Sequence, residues 1–310
     1  MMSRAASPRI ALAPEGARAW LAGAIEAGGG QLVDVAEAEA LVWALPSAPE
    51  ELGEVLDANP QLRWVQLPWA GIEPYVEVVA AHPERTWTCG KGVYAEPVAE
   101  MALTLLLAGF RGFATYGRAS SWEKPRGRNL LGARVVVAGG GGIAESFLRL
   151  LGPFGCRTTV VRRTPDPVPG AERVVGLASL DEVLDDADAL VLALALTPET
   201  EGLVDRARLD RLGPEGWLVN VARGRHVVTD DLVAALTEGT LGGAGLDVTE
   251  PEPLPDGHPL WSAPNVLVTP HVGNTPAMAV PLLSARITDN VARWIAGEAL
   301  VGPVDPALGY

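Results

Sequence analysis

The sequence predicts an α/β protein of two domains, each built around a parallel sheet, and three observations predict it. Short apolar runs alternate with stretches of helical spacing along most of the chain. The alternation is interrupted by one Ala/Leu/Met-rich helix and then restarts. Just after the restart, a fully apolar strand runs into a glycine-dense turn and a further helix. At 310 residues the chain is long enough for two domains with cores of their own.

The elements follow in order. Arg9–Leu12 is an apolar run and reads as a strand. Gly16–Ala27 carries Ala, Leu and Trp at helical spacing, and Gly28-Gly29-Gly30 stops it. Gln31–Val35 and Ala40–Leu45 read as strands, Pro49–Ala58 as a helix with proline in its first turn, and Leu62–Leu67 as a strand. Val98–Gly109 is a helix apolar nearly all round, which predicts burial, between the two domains. Arg134–Ala138 opens the second series, followed by the helix Glu145–Leu151 and the strand Thr158–Val161. Ala189–Ala193, Trp217–Val221, Gly243–Val248 and Val266–Thr269 are the later strands, and Ala277–Gly297 is helical again. The expected domains are 1–97 plus 277–310, and 98–276, with a cleft between them. The tail is expected to pack back on the first domain.

Composition narrows the function classes. Hydrophobic residues are 48% and charged residues 20%, which argues against global disorder. The 24 Lys+Arg against 38 Asp+Glu give a formal net charge of −14. Phosphate repels such a chain unless it carries a local basic stripe, so no nucleic-acid partner is expected. The nearest basic feature is the pair Arg162-Arg163. Cys89 and Cys156 lie far apart with no metal-ligand spacing, so neither a disulfide framework nor a metal site is expected. No run approaches ~18 apolar residues, and the N-terminus lacks a signal-peptide pattern. The expectation is a cytoplasmic protein with no membrane partner.

The segment Val135–Ala144 fits G-x-G-x-x-A, with Gly139, Gly141 and Ala144 at the three positions. The first glycine permits the tight turn out of the strand, the second lets a pyrophosphate approach the backbone, and the alanine allows close helix–strand packing. Gly142 and Ile143 complete the cofactor-binding turn, and the free N–H groups and positive dipole end of the helix that follows would face the phosphates. A dinucleotide ribose usually meets an acid about 20 residues further on. Here Arg162, Arg163 and Thr164 stand after the second strand instead. Guanidinium groups suit a ribose 2′-phosphate, so NADP(H) is favoured over NAD(H), against the alternative of two solvated surface arginines.

Three further segments arrive in order: Asn220-Val221-Ala222-Arg223-Gly224, then Leu246-Asp247-Val248-Thr249-Glu250-Pro251-Glu252-Pro253, then Thr269-Pro270-His271-Val272-Gly273. With the glycine turn, they resemble the D-isomer-specific 2-hydroxyacid dehydrogenase family, from about Gln66 to Asn274. The resemblance implies two Rossmann-like or flavodoxin-like domains with a ligand cleft. It implies that Arg223 pairs with the substrate carboxylate and carbonyl, that His271 is the acid/base, and that Glu252 hydrogen-bonds the histidine. Asp247 would sit near the nicotinamide carboxamide, and Val221, Gly273 and Asn274 would also bind the cofactor. The family's carboxylate loop matches Ala70-Gly71-Ile72, with Trp69 beside it, and Lys91 and Tyr94 would border the cleft. A homodimer is the family's usual state.

The chemistry asks for these residue types independently. Reducing a 2-oxoacid builds negative charge on the carbonyl oxygen, which a fixed cation stabilises. A proton must also arrive, and histidine titrates nearest neutrality. Glu252 lies in a proline-dense loop, where a solvated acid is common, and only the motif singles it out. Arg223 and His271 follow apolar strands, at the place where open α/β sheets bind ligands. His82, His226 and His258 read as loop or surface residues. The expected reaction is NADPH-dependent reduction of a small 2-oxoacid, such as glyoxylate or hydroxypyruvate. The alternatives are a dehydrogenase for a substrate such as phosphite, and a dinucleotide-sensing regulatory protein on the same fold.

Overall fold

The computed structural model describes residues 7–16, 18–45 and 47–305. The chain divides into two compact units, one running to Tyr94 and resuming at Thr275, the other Ala95–Asn274. Each is an α/β layer structure with a wholly parallel sheet.

The first unit holds β1 (Arg9–Ala13), α1 (Leu21–Ala27), β2 (Gln31–Leu32), β3 (Ala40–Trp43), α2 (Pro49–Ala58), β4 (Trp64–Gln66), α3 (Val76–Ala81) and β5 (Thr86–Thr88). Its strands lie in the order β2-β1-β3-β4-β5, a flavodoxin-like arrangement. Side chains alternate across the pleat. Ala11, Ala13, Leu41, Trp43, Val65 and Leu67 therefore pack with Leu52, Leu56 and Val79 of α2 and α3 in one core.

The second unit holds α4 (Ala95–Phe110), α5 (Phe113–Tyr116), β6 (Arg134–Ala138), α6 (Gly142–Leu151), β7 (Arg157–Val161), β8 (Arg173–Val175), α7 (Leu180–Leu184), β9 (Ala189–Leu192), α8 (Arg206–Leu212), β10 (Trp217–Asn220), α9 (Thr229–Glu238), β11 (Gly243–Leu246) and β12 (Val266–Val268). Its strand order is β12-β11-β10-β9-β6-β7-β8, the Rossmann order with one strand added. Val136, Ala138, Leu190 and Leu192 point to one core, under α7, α8 and α9. Val135, Val137, Ala189 and Val191 point to the other, under α4 and α6. Strands buried on both faces explain the continuous apolar runs in the sequence.

The last helix, α10 (Pro276–Ala296), belongs to the first unit and packs on α1. Thr288 donates to the Ala24 carbonyl at 3.0 Å. Asn290, fully buried, donates to Gln66 Oε1 at 2.8 Å and accepts the Val301 N–H at 2.8 Å.

The structure corrects several element boundaries. The first helix starts at Leu21, because Gly16 (φ 78°) and Arg18 (φ 47°) take left-handed backbone. The second strand ends at Leu32, and Val35–Glu37 is a 3₁₀ turn. The helix α6 begins at Gly142, which puts Gly142 and Ile143 in its first turn. Two short edge strands, β5 and β8, carry too few apolar residues to have stood out. Among the described residues, no helix is long and apolar enough to cross a membrane, and no His/Cys/Asp/Glu group could hold a metal ion.

Candidate active site

Parallel pairing fixes where the candidate residues of the second unit go. Asn220 of β10 pairs with Leu246 of β11, and Leu246 pairs with Val268 of β12. The turns that follow all leave the same edge of the sheet, at the ~4.8 Å strand spacing. Arg223, Asp247 to Glu252, and His271 lie on those turns. The glycine turn leaves β6 on the same edge, next to β9, where the strand order reverses. That is the switch point at which such sheets bind ligands.

The glycine turn is built for close approach. Gly139 has φ 119°, and a Cβ there would lie 2.1 Å from the Ala193 carbonyl oxygen. Gly141 is extended, precedes α6, and has open space where a side chain would be. Arg162 packs beside the turn, its Cδ 2.9 Å from the place of a Cβ on Gly140. Arg163 and Thr164 are exposed. Glu199 sits near enough to Arg163 to feel its charge, although a hydrogen bond from the Thr197 side chain, with one from its own backbone, does most to hold that carboxyl below its usual range.

The Arg223 turn is pinned by side chains. The Asn220 amide donates to the Arg223 carbonyl at 2.8 Å and accepts the Ala222 N–H at 3.0 Å. Arg223 Nη1 donates to the Ala222 carbonyl at 2.7 Å. Val221, between them, is buried. Gly224 follows because a Cβ there would meet the Thr249 carbonyl oxygen at 2.0 Å.

His271 takes φ 53°, a left-handed conformation that histidine tolerates better than most residues. Its Nδ1 lies 2.6 Å from Glu252 Oε1, with about half of the imidazole exposed. The Glu252 loop is held by Thr249, which donates to the Pro251 carbonyl at 2.9 Å, and by Thr229, which donates to the Glu250 carbonyl at 2.7 Å. Asp247 is 3% exposed and holds the histidine turn itself. Its Oδ1 accepts the Thr269 hydroxyl at 2.6 Å and the Val272 N–H at 2.9 Å, and its Oδ2 accepts the Gly273 N–H at 2.8 Å. Its backbone carbonyl accepts the His271 N–H at 2.8 Å. Gly273 is buried against Val98 and Met101, and the neighbouring Asn274 has a buried Oδ1 with no partner.

The candidates of the first unit lie together on the turns after β4 and β5. Tyr94 donates to the Pro68 carbonyl at 2.8 Å, and burial pushes its phenol up to about 12. Trp69 has a buried Nε1 without a partner, and Arg18 lies over its ring at 3.8 Å. Burial lowers the pKa of Arg18. Ile72 is a core side chain. Lys91 is exposed, and its carbonyl accepts from Arg286 at 3.0 Å.

Sequence reading missed two features. His226, read as a surface or loop histidine, is 0% exposed and packs into the Arg223 turn. A histidine three residues after the arginine was the available signal, but residue type alone does not report burial. Arg18 was missed because its contact with Trp69 depends on the left-handed turn before α1.

The strand order, glycine turn and histidine–carboxylate pair define a dinucleotide-binding α/β oxidoreductase. The family model described as "D-isomer specific 2-hydroxyacid dehydrogenase, NAD binding domain" matches residues 101–273. The chain is 32% identical over 284 residues to glyoxylate/hydroxypyruvate reductase A of Serratia proteamaculans (strain 568), covering 87% of each. Among solved structures it resembles a D-isomer specific 2-hydroxyacid dehydrogenase from Xanthobacter autotrophicus Py2 in complex with NADPH and MES. The TM-score is 0.83 at 29% identity, over 98% of this chain and 100% of that one. An NADPH-dependent glyoxylate/hydroxypyruvate reductase from Sinorhizobium meliloti, in complex with NADP and sulfate, gives 0.81 at 27% identity over 98% and 100%. The chain belongs to the D-isomer-specific 2-hydroxyacid dehydrogenase family and is an NAD(P)-dependent oxidoreductase acting on CH–OH groups.

The Asp247 anchor gives a direct prediction. Asp247→Ala orphans the Thr269, Val272 and Gly273 donors, at about 1–3 kcal/mol for those left buried. The amides of Val272 and Gly273 then exchange hydrogen faster by mass spectrometry. Unchanged exchange at both would show that the carboxylate does not hold the turn.

Proposed function

We propose that this enzyme reduces a small 2-oxoacid, of the size of glyoxylate or hydroxypyruvate, to the D-2-hydroxy acid, with NADP(H) preferred over NAD(H). The observation that carries the reading is the 2.6 Å His271–Glu252 pair, on the same sheet edge as the Arg223 turn.

The residues present fit a dinucleotide. The open space at Gly141 and the first-turn N–H groups of Gly142 and Ile143 suit a pyrophosphate. Asn274 Oδ1, buried and unpartnered, suits a donor such as a carboxamide N–H. Val221, Asp247 and Gly273 would line the same end. Arg162 beside Gly140, with Arg163 and Thr164 after it, suits a 2′-phosphate, and no acid follows β7 directly to repel one. When bound, the reduced nicotinamide supplies the hydride to the substrate carbon.

The chain's own residues then have separable tasks. Arg223 stabilises the negative charge that develops on the carbonyl oxygen. His271 delivers the proton to that oxygen from Nε2, since Glu252 accepts the hydrogen bond at Nδ1 and fixes the ring. In the first unit, the backbone N–H groups of Ala70, Gly71 and Ile72 are suited to a carboxylate. Trp69, Tyr94 and Lys91 would shape its surroundings. The Serratia relative is named for glyoxylate and hydroxypyruvate, and the Sinorhizobium structure for NADPH dependence, which supports the size of the substrate and the cofactor.

Initial rates with glyoxylate, hydroxypyruvate, pyruvate and a bulky aryl 2-oxoacid, each with NADPH and NADH, test the reading. Turnover is expected with glyoxylate and hydroxypyruvate, faster with NADPH. Tight dinucleotide binding without turnover of any 2-oxoacid would contradict it. Turnover with NADH alone would overturn the cofactor preference. Replacing Arg162 and Arg163 by Ala is expected to raise the NADPH KM ~10-fold or more, from the loss of charge-assisted hydrogen bonds, with little change for NADH. Equal changes would make the two arginines surface charges.

A further inference from the structure

His226 lies outside the residues assigned above, yet it is fully buried and touches two functional turns at once. Its Nδ1 is 3.2 Å from the Arg223 backbone nitrogen and 3.0 Å from the Arg223 carbonyl oxygen. Its Nε2 is 3.3 Å from the Ala195 carbonyl oxygen. Ala195 belongs to the segment after β9, the same segment whose Ala193 carbonyl closes on Gly139.

Hydrogen-bond bookkeeping assigns the tautomer. Both carbonyls can only accept, but the Arg223 carbonyl already takes the Asn220 amide at 2.8 Å, and the Arg223 N–H needs an acceptor at Nδ1, so the ring proton is placed on Nε2, toward the Ala195 carbonyl. That tautomer has a lone pair at Nδ1, to which the Arg223 N–H donates. With Asn220 donating to the Arg223 carbonyl, the arginine is gripped on both sides of its Cα. The guanidinium hangs on a long flexible stem, so a fixed Cα and a fixed N–H direction set where the stem starts.

We propose that His226 is a positioning residue for Arg223, accepting the Arg223 N–H at Nδ1 and tying the arginine turn to the segment beside the glycine turn. The proposal rests on the functional role given to Arg223 above. A misplacement of about 1 Å in a substrate-orienting group can cost 10²-fold in rate. Loss of His226 therefore lowers kcat/KM for the 2-oxoacid and leaves dinucleotide affinity in place.

The experiment uses three variants of the full chain. His226→Phe keeps the ring and removes both nitrogens. His226→Asn keeps an acceptor near Nδ1, and His226→Gln keeps a donor near Nε2. The expected result is a loss of ~10- to 100-fold in kcat/KM for His226→Phe, with the NADPH dissociation constant from fluorescence unchanged. His226→Asn recovers most of the loss and His226→Gln does not. The Arg223 amide exchanges quickly in the Phe and Gln variants and slowly in the Asn variant. In an Arg223→Ala background, His226→Phe costs nothing further in residual turnover, because no guanidinium remains to be positioned.

Multiplying losses in that background would overturn the positioning role while leaving the reading of Arg223 intact. Full activity of Arg223→Ala alone would instead overturn the functional reading, and the inference with it. If His226→Phe fails to fold, equal activity and equal Arg223 exchange in the Asn and Gln variants would still refute the proposal.

Discussion

Parallel pairing from β6 through β12 is the constraint on which the rest of the second unit depends. A parallel sheet sends every strand's C-terminal turn to one edge, so residues distant in sequence meet there without long connections. Asn220, Leu246 and Val268 sit in register across three neighbouring strands. The Arg223, Asp247 and His271 turns start from those positions. Both faces of the sheet are buried, so a slip in register would misplace whole core layers as well as the site.

The turns are then fixed by buried polar groups acting on backbone. Asp247 saturates Oδ1 with the Thr269 hydroxyl and the Val272 N–H and uses Oδ2 for Gly273, so its negative charge builds the loop that carries His271. Asn220 and His226 grip Arg223 from opposite sides. Glu252 reaches His271 from a loop held by two threonine hydroxyls. The exposed ends of the imidazole and the carboxylate are thus backed by groups that see little water. This is how an open turn can hold a defined geometry.

The fold was legible because its strands are apolar runs and its turns carry glycine. Arg134–Ala138 and its glycine turn announced the second unit, and the Arg223, Glu252 and His271 segments announced the site through their order and spacing. What was not legible depends on three-dimensional neighbours. The burial of His226 comes from packing between turns that lie about thirty positions apart in the chain, and a single histidine does not encode it. The late start of α1 comes from left-handed backbone at Gly16 and Arg18, where the alanine-rich composition favoured helix. The edge strands β5 and β8 are only three residues each, too short for a periodicity.

The proposed division of labour gives the chemistry to Arg223 and His271 and the dinucleotide to the glycine turn. The most direct measurement replaces each of the two in turn and records turnover and NADPH binding by fluorescence on the same preparations. The account predicts that turnover falls by at least ~10²-fold in both variants while the NADPH dissociation constant stays near the wild-type value. Wild-type turnover in either variant would contradict it.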